Sequence, residues 1–308
     1  MTDQAAVKGF EVCTIVSPSG KTRASFVPEK GGIGSSLIMM GPQGPRELLY
    51  QHDFFWDKGP VERIPGGWPY LFPVCGRLER GGVMGPYLYE GRLYRLPSHG
   101  FGPRMPWKAV FENSSEVVLS LSATAATREV YPFSFEVDLR YRAEDDAFIC
   151  EQTYRNAGMR PLPYYGGFHP YFATPAPGQG KEEILLDYHP IRRLIYNEKL
   201  SDVIGEGTLP QMPISIAEPR INELLTVVGA DKETRLVYPD GMTLHMTAEG
   251  VEDPDLFPYI QLYTMPEKPF FCIEPWMGFP NALNTVSGVR WLMPGQEEKG
   301  LLKVWLTF

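Results

Sequence analysis

The stretch Phe135-Glu-Val-Asp-Leu-Arg-Tyr141 alternates apolar and charged residues without a break. Phe135, Val137, Leu139 and Tyr141 fall on one side; Glu136, Asp138 and Arg140 fall on the other. A period of two belongs to a half-buried β-strand, because a helix repeats its apolar positions every three or four residues. The run from Phe148 to Arg155 alternates likewise, and Glu144-Asp145-Asp146 between the two supplies a turn. The pair reads as an antiparallel hairpin. Working outward, Val117 to Leu121 and Leu302 to Phe308 read as further strands. Leu236 to Tyr238 and Met242 to Thr247 flank Pro239-Asp240-Gly241, where Asp-Gly suits the positive dihedrals of a tight turn. Phe10 to Val16 and Thr22 to Val27 flank Pro18-Ser19-Gly20 in the same manner. The one modest helix candidate is Ile221 to Val228.

The chain has 31 glycines and 30 prolines in 308 residues, well above the roughly 12% combined share of an ordinary chain. Such punctuation excludes a helical bundle. No repeat, low-complexity segment or flexible linker divides the chain, so residues 1–308 are expected to form a single large, all-β, antiparallel domain. The formal net charge of −8 works against nonspecific binding to nucleic acid or anionic membranes. No apolar run approaches the roughly 20 residues of a membrane span, and the first residues lack the pattern of a secretory signal. Cys13, Cys75, Cys150 and Cys272 are widely spaced with no Cys-x-x-Cys pair. They read as reduced thiols of a cytoplasmic protein.

The strong catalytic motifs are missing: no Gly-x-Ser-x-Gly, no His-Glu-x-x-His, no phosphate-binding glycine loop. His52, His99, His169, His189 and His245 show no metal-ligand spacing. Four segments remain. Gly66-Gly-Trp-Pro-Tyr-Leu-Phe-Pro-Val-Cys-Gly-Arg77 ends a proline-stiffened apolar stretch on a guanidinium suited to hydroxyl-rich or anionic ligands. Pro97-Ser-His99-Gly-Phe101-Gly-Pro-Arg104 places a second Arg near a His. Between residues 63 and 104 stand six arginines (63, 77, 80, 92, 95, 104) against Glu79 and Glu90. That excess reads either as an anion site or as ordinary surface charge. Tyr164-Tyr-Gly-Gly-Phe-His169-Pro-Tyr-Phe172 sets His169 among aromatic rings. Phe270-Phe-Cys-Ile-Glu274-Pro-Trp-Met-Gly-Phe279 sets Glu274 as the only charge between Lys268 and Arg290, which is expensive unless the carboxylate is paired or used. Aromatic residues are 13% of the chain, enough to line a sugar-binding cleft. The residues alone indicate acid/base chemistry on a polar small molecule such as a sugar.

Taken together, GGWPYLFPVCGR, SHGF with its following Arg and Trp, GFHPYF and CIEPWMGFPNAL resemble the aldose 1-epimerase (galactose mutarotase-like) family, in the family's order over residues 66 to 283. Pro28-Glu-Lys-Gly-Gly32 adds a weaker match. The resemblance implies a large antiparallel β-sandwich, or supersandwich, and interconversion of the α and β anomers of a hexose or hexose phosphate. It implies His169 as general acid and Glu274 as general base, with Arg77 and His99 contacting the sugar and Arg104 as a further substrate-binding candidate. It implies no metal, nucleotide or other cofactor. Monomer and homodimer both stay open. The chemistry asks for a protonated His169 and an ionised Glu274, expected to stabilise one another. Family members also hold sugar hydroxyls with a mid-chain Asp, for which Asp187 and Asp240 are candidates by position. The alternative on the same scaffold is a noncatalytic carbohydrate-binding or sensor protein, which has no need of a matched acid and base. A glycosidase would need two carboxylates about the bond, and only Glu274 sits in such a setting.

Overall fold

The computed structural model describes residues 5–41 and 43–308. Two large antiparallel sheets face one another. One has nine strands in the order Lys108–Glu112, Glu116–Ser122, Phe135–Ala143, Phe148–Asn156, Glu297–Thr307, Thr243–Gly250, Thr234–Val237, Leu185–Tyr188 and Ile214–Ser215. The other runs Val203–Gly207, Pro190–Tyr196, Leu224–Val228, Tyr259–Tyr263, Phe270–Trp276, Gly167–Phe168 and Tyr70–Leu71, with Tyr171–Ala173 also paired to Phe270–Trp276. A five-stranded sheet carries the N-terminal hairpin of Phe10–Val16 and Thr22–Val27. The expected β-sandwich is present, as are all three expected hairpins.

The alternation that predicts the strands also builds the core. Phe135, Val137, Leu139 and Tyr141 are all buried, and Glu136 and Arg140 are exposed. Tyr141 stacks on Phe148 at 5.7 Å between ring centroids, Phe26 lies 4.3 Å over Tyr141, and Trp68 meets Phe148 edge-on at 5.4 Å. Across the sandwich, the Tyr70 hydroxyl donates to the Tyr154 hydroxyl at 2.6 Å. Each ring thus removes a large apolar area from water, and the Tyr70 and Tyr154 hydroxyls carried inward satisfy one another.

The helix expected at Ile221–Val228 is absent. A single 3-10 turn covers Pro219–Ile221, and Leu224–Val228 is a strand between Pro190–Tyr196 and Tyr259–Tyr263. All five of its residues are buried. A strand covered on both faces shows no alternation, so its apolar run cannot be told from a helix by period; the β-branched Thr226, Val227 and Val228 favour the strand. Among the described residues, no helix is long and apolar enough to cross a membrane.

Phe148 touches the aromatic residues of three different segments. Phe148→Ala is expected to cost about 3–5 kcal/mol of unfolding free energy, read by urea denaturation. A loss below about 1 kcal/mol would place the ring outside the cooperative core.

Candidate active site

The site grows from one strand. Phe270–Trp276 is buried along its whole length. Phe271 and Ile273 enter the main core, while Glu274 and Trp276 line a cavity of about 550 Å³. The period of two therefore sends this strand's only charge to the cavity face. Antiparallel pairing sets what stands beside it. Gly167 pairs with Trp276 and Tyr171 with Cys272, so His169 falls opposite Glu274. On the other side Gln261 pairs with Glu274. His169, Glu274 and Gln261 thus form one row across the sheet. Close packing at Gly167 permits this: a Cβ there would stand 2.7 Å from Cys75 Sγ and 2.8 Å from the Pro275 carbonyl oxygen.

His169 Nδ1 lies 3.4 Å from Glu274 Oε1, and the two residues are 5% and 1% exposed. Tyr171 stacks on the imidazole at 4.7 Å. His169 Nδ1 and Glu274 Oε2 have no hydrogen-bond partner. Burial holds the imidazole well below its usual pKa, with His99 adding to the effect. Burial also holds the Glu274 carboxyl well above the usual range, reinforced by the nearby Glu223 charge. Both shifts run against the expected mutually stabilised ion pair, because burial disfavours the charged form of each group.

The other expected residues gather around this pair. His99 lines the cavity and has a left-handed backbone with φ of 62°. Its Nδ1 accepts from the Gly76 N–H at 3.2 Å, leaving the ring proton on Nε2. Burial, followed by the charges of Arg104 and Arg77, pushes its pKa down to about 3, so His99 is a neutral donor. Arg104 lines the cavity but spends Nη1 on the carbonyls of Ser98 and Gly100, at 2.9 and 2.8 Å, bracketing His99. Arg77 stands exposed at the cavity wall and donates from Nη1 to the Lys199 carbonyl at 2.6 Å. The weak N-terminal motif supports this loop from behind: Gly31, at φ 73°, packs so near Pro103 that a Cβ would meet its carbonyl oxygen at 2.4 Å. Of the six arginines, Arg63, Arg77 and Arg104 reach the cavity. Arg92 instead covers Tyr94, and Arg95 donates to the Met84 carbonyl.

The mid-chain acid is not either expected Asp. Asp187 pairs with Arg235 at 2.8 Å in the opposite sheet, and Asp240 pairs with Arg46 at 2.8 Å in a turn. Besides Glu274, the acids lining the cavity are Asp53, Glu62 and Glu223, of which Glu223 binds the pair's neighbour Gln261 directly. Its Oε2 accepts from Gln261 Nε2 at 3.0 Å, and Gln261 Oε1 accepts from the Tyr196 hydroxyl at 2.8 Å. Burial raises its pKa against the opposing pull of Arg77. Nothing in Arg220-Ile-Asn-Glu-Leu-Leu225 distinguishes Glu223 from a surface charge. Its mark is conformational: φ is 54°. His99, Leu200 and Glu223, all left-handed, all line the cavity, and such strain persists only where surrounding packing enforces it.

Donor atoms of His169, Cys272 and Glu274 lie within 4.8 Å of one another. Burial pushes the Cys272 thiol up, away from the thiolate that a metal would take.

The family profile described as Aldose 1-epimerase matches residues 45–198. The chain belongs to the aldose 1-epimerase family. A Salmonella typhimurium protein named "Putative glucose-6-phosphate 1-epimerase" is 30% identical over 132 residues, covering 42% of this chain and 39% of that one. The chain thus matches well under half the length of this curated relative. The Slr1438 protein of Synechocystis sp. PCC 6803 superposes with a TM-score of 0.81 at 25% identity, covering 96% of this chain and 95% of its own. A galactose mutarotase related enzyme from Lactobacillus acidophilus superposes at 0.80 with 20% identity, covering 96% and 97%. At that identity the likeness is one of fold.

A carboxyl whose pKa is higher folded than unfolded costs stability as pH rises through the ordinary carboxylate range, because the unfolded chain releases its proton first. Glu274→Gln carries no such cost. The variant is expected to gain melting temperature relative to wild type as pH rises above the ordinary carboxylate range, measured by thermal denaturation from pH 4 upward. A difference independent of pH would show that Glu274 is not held protonated.

Proposed function

We propose that this chain, acting as one domain over residues 1–308, is an aldose 1-epimerase that interconverts the anomers of a hexose or hexose phosphate. The observation that carries the reading is the meeting of His169 and Glu274 at 3.4 Å on one wall of an open cavity. Ring opening moves one proton off the anomeric hydroxyl and puts one on the ring oxygen. Two groups sharing a single proton can do both without a net charge change. Glu274 takes the hydroxyl proton and His169 supplies the ring-oxygen proton. The free aldehyde turns about its first carbon–carbon bond, and the roles reverse on closure.

Burial favours the neutral form of each group, whereas the reaction starts from imidazolium and carboxylate. Sugar binding supplies the difference: its oxygens offer partners to His169 Nδ1 and Glu274 Oε2, which otherwise have none, and hydrogen bonds to the charged forms favour them. Arg77, His99 and Glu223 are assigned to sugar hydroxyls, with His99 donating through Nε2 and Glu223 accepting. Arg104 is assigned to holding the His99 loop as well as to the sugar. A cytoplasmic setting agrees with four free, buried cysteines. A noncatalytic sugar binder would gain nothing from burying an acid and an imidazole without partners, which costs stability.

Polarimetry of freshly dissolved α-glucose or α-galactose tests the reading. Wild type should hasten equilibration, and His169→Ala and Glu274→Ala should each lose at least about 100-fold. Both variants retaining full rate would remove the assignment. Should free sugars show no acceleration, magnetisation-exchange NMR on the 6-phosphates decides the substrate, with Arg77→Ala expected to lose more on these if its guanidinium holds the phosphate.

The pair titrates as a unit. Activity requires one shared proton, so the rate should fall at low pH when His169 gains a second and at high pH when the last is lost. Given the directions of the two shifts, the acid limb is expected below the ordinary imidazole pKa and the alkaline limb above the ordinary carboxylate pKa. A single limb in the pH–kcat/KM profile would contradict a two-group mechanism.

A further inference from the structure

Lys181 lies in a 3-10 turn, Lys181–Glu183, and is 2% exposed. Its ammonium donates to Thr264 Oγ1 at 2.9 Å, to the Met265 carbonyl at 3.2 Å and to the Lys268 carbonyl at 2.7 Å. Three protons meet three acceptors, and none of them is a carboxylate. A buried cation held by neutral acceptors alone is costly, and burial indeed depresses its pKa. All three acceptors belong to the loop between Tyr259–Tyr263 and Phe270–Trp276, the strands that carry Gln261 and Glu274.

The ends of the loop are also tied: the Thr264 N–H donates to Asn222 Oδ1 at 3.0 Å, and the Pro269 carbonyl accepts from the Thr174 N–H at 3.0 Å. The Lys268 N–H donates to the Met265 carbonyl at 3.0 Å, and Thr264 Oγ1 donates to the Phe270 carbonyl at 2.7 Å. Met265 and Lys268 line the cavity, while their carbonyls are drawn onto Lys181. His52 and Phe54, stacked at 5.1 Å, line the same cavity, and the Lys268 charge acts on His52.

We propose that Lys181 is a positioning residue for substrate capture: its three hydrogen bonds hold the Thr264–Lys268 loop in the form that presents Met265 and Lys268 to the sugar, away from the anomeric carbon. The proposal rests on the epimerase reading for the identity of the ligand. Lys181 touches neither His169 nor Glu274, so its loss acts on binding and not on the proton transfers.

Lys181→Met keeps the length of the side chain and removes the charge. Its KM is expected to rise about tenfold with kcat nearly unchanged, the sign of lost uniform binding. Amides 264–268 should exchange with deuterium at least about tenfold faster, while those of Phe270–Trp276 keep their protection. Met265→Ala with Lys268→Ala should raise KM similarly, and adding Lys181→Met to that pair should raise it little further. Should Lys181→Met not fold, Thr264→Val, which deletes one acceptor, is expected to shift KM and loop exchange in the same directions. A folded Lys181→Met with unchanged KM and unchanged exchange overturns the proposal, as does a fall in kcat at constant KM. If wild type accelerates no sugar, the epimerase reading fails by itself. Loop exchange, and galactose binding followed by intrinsic fluorescence, then decide the role of Lys181.

Discussion

The site depends on a single row across one sheet. His169, Glu274 and Gln261 stand side by side because three strands pair in a fixed antiparallel register. A slip of one residue in any of these pairings would turn a side chain to the opposite face. Glu274 would then enter the aromatic core, where an unpaired carboxylate is prohibitively costly. The same burial that makes the row expensive makes it chemically useful. It brings an acid and an imidazole within 3.4 Å of one another on a cavity wall.

Several costs accumulate around that row. Burial shifts two ionisable groups away from their ordinary pKa values, and a second carboxyl, Glu223, adds to the pressure on Glu274. Three non-glycine residues of the cavity lining adopt left-handed backbones. A core large enough to offset such strain is a precondition, and the two facing sheets supply it. The packed rings of Phe26, Tyr141, Phe148 and Trp68 belong to that core, and Trp68 meets Phe168, the neighbour of His169.

The neutral donor His99 shows how position decides function. The ring is not a second acid. It sits beside two guanidiniums and accepts a backbone N–H on Nδ1, which fixes both its charge and its tautomer. Arg104 contributes to this by binding the carbonyls on both sides of His99. In the sequence the two residues look like parallel ligands; in the fold one orients the other.

The sequence by itself determined the fold class, because period-two patterns such as Phe135 to Tyr141 are local and each residue's partner in burial is two positions away. It also pointed to His169 and Glu274, because a lone charge or imidazole in an aromatic run is anomalous wherever it occurs. It failed at Leu224–Val228, where burial on both faces erases the period. It failed at Glu223, whose neighbours in sequence are unremarkable and whose role comes from a left-handed backbone, a bond to Gln261 and the presence of Arg77. Only the tertiary structure decided the direction in which each proton affinity of the pair is shifted. Solvation and the field of residues brought in from Arg77, His99 and Glu223 set the energy of a proton, and those quantities exist only once the chain has closed around it.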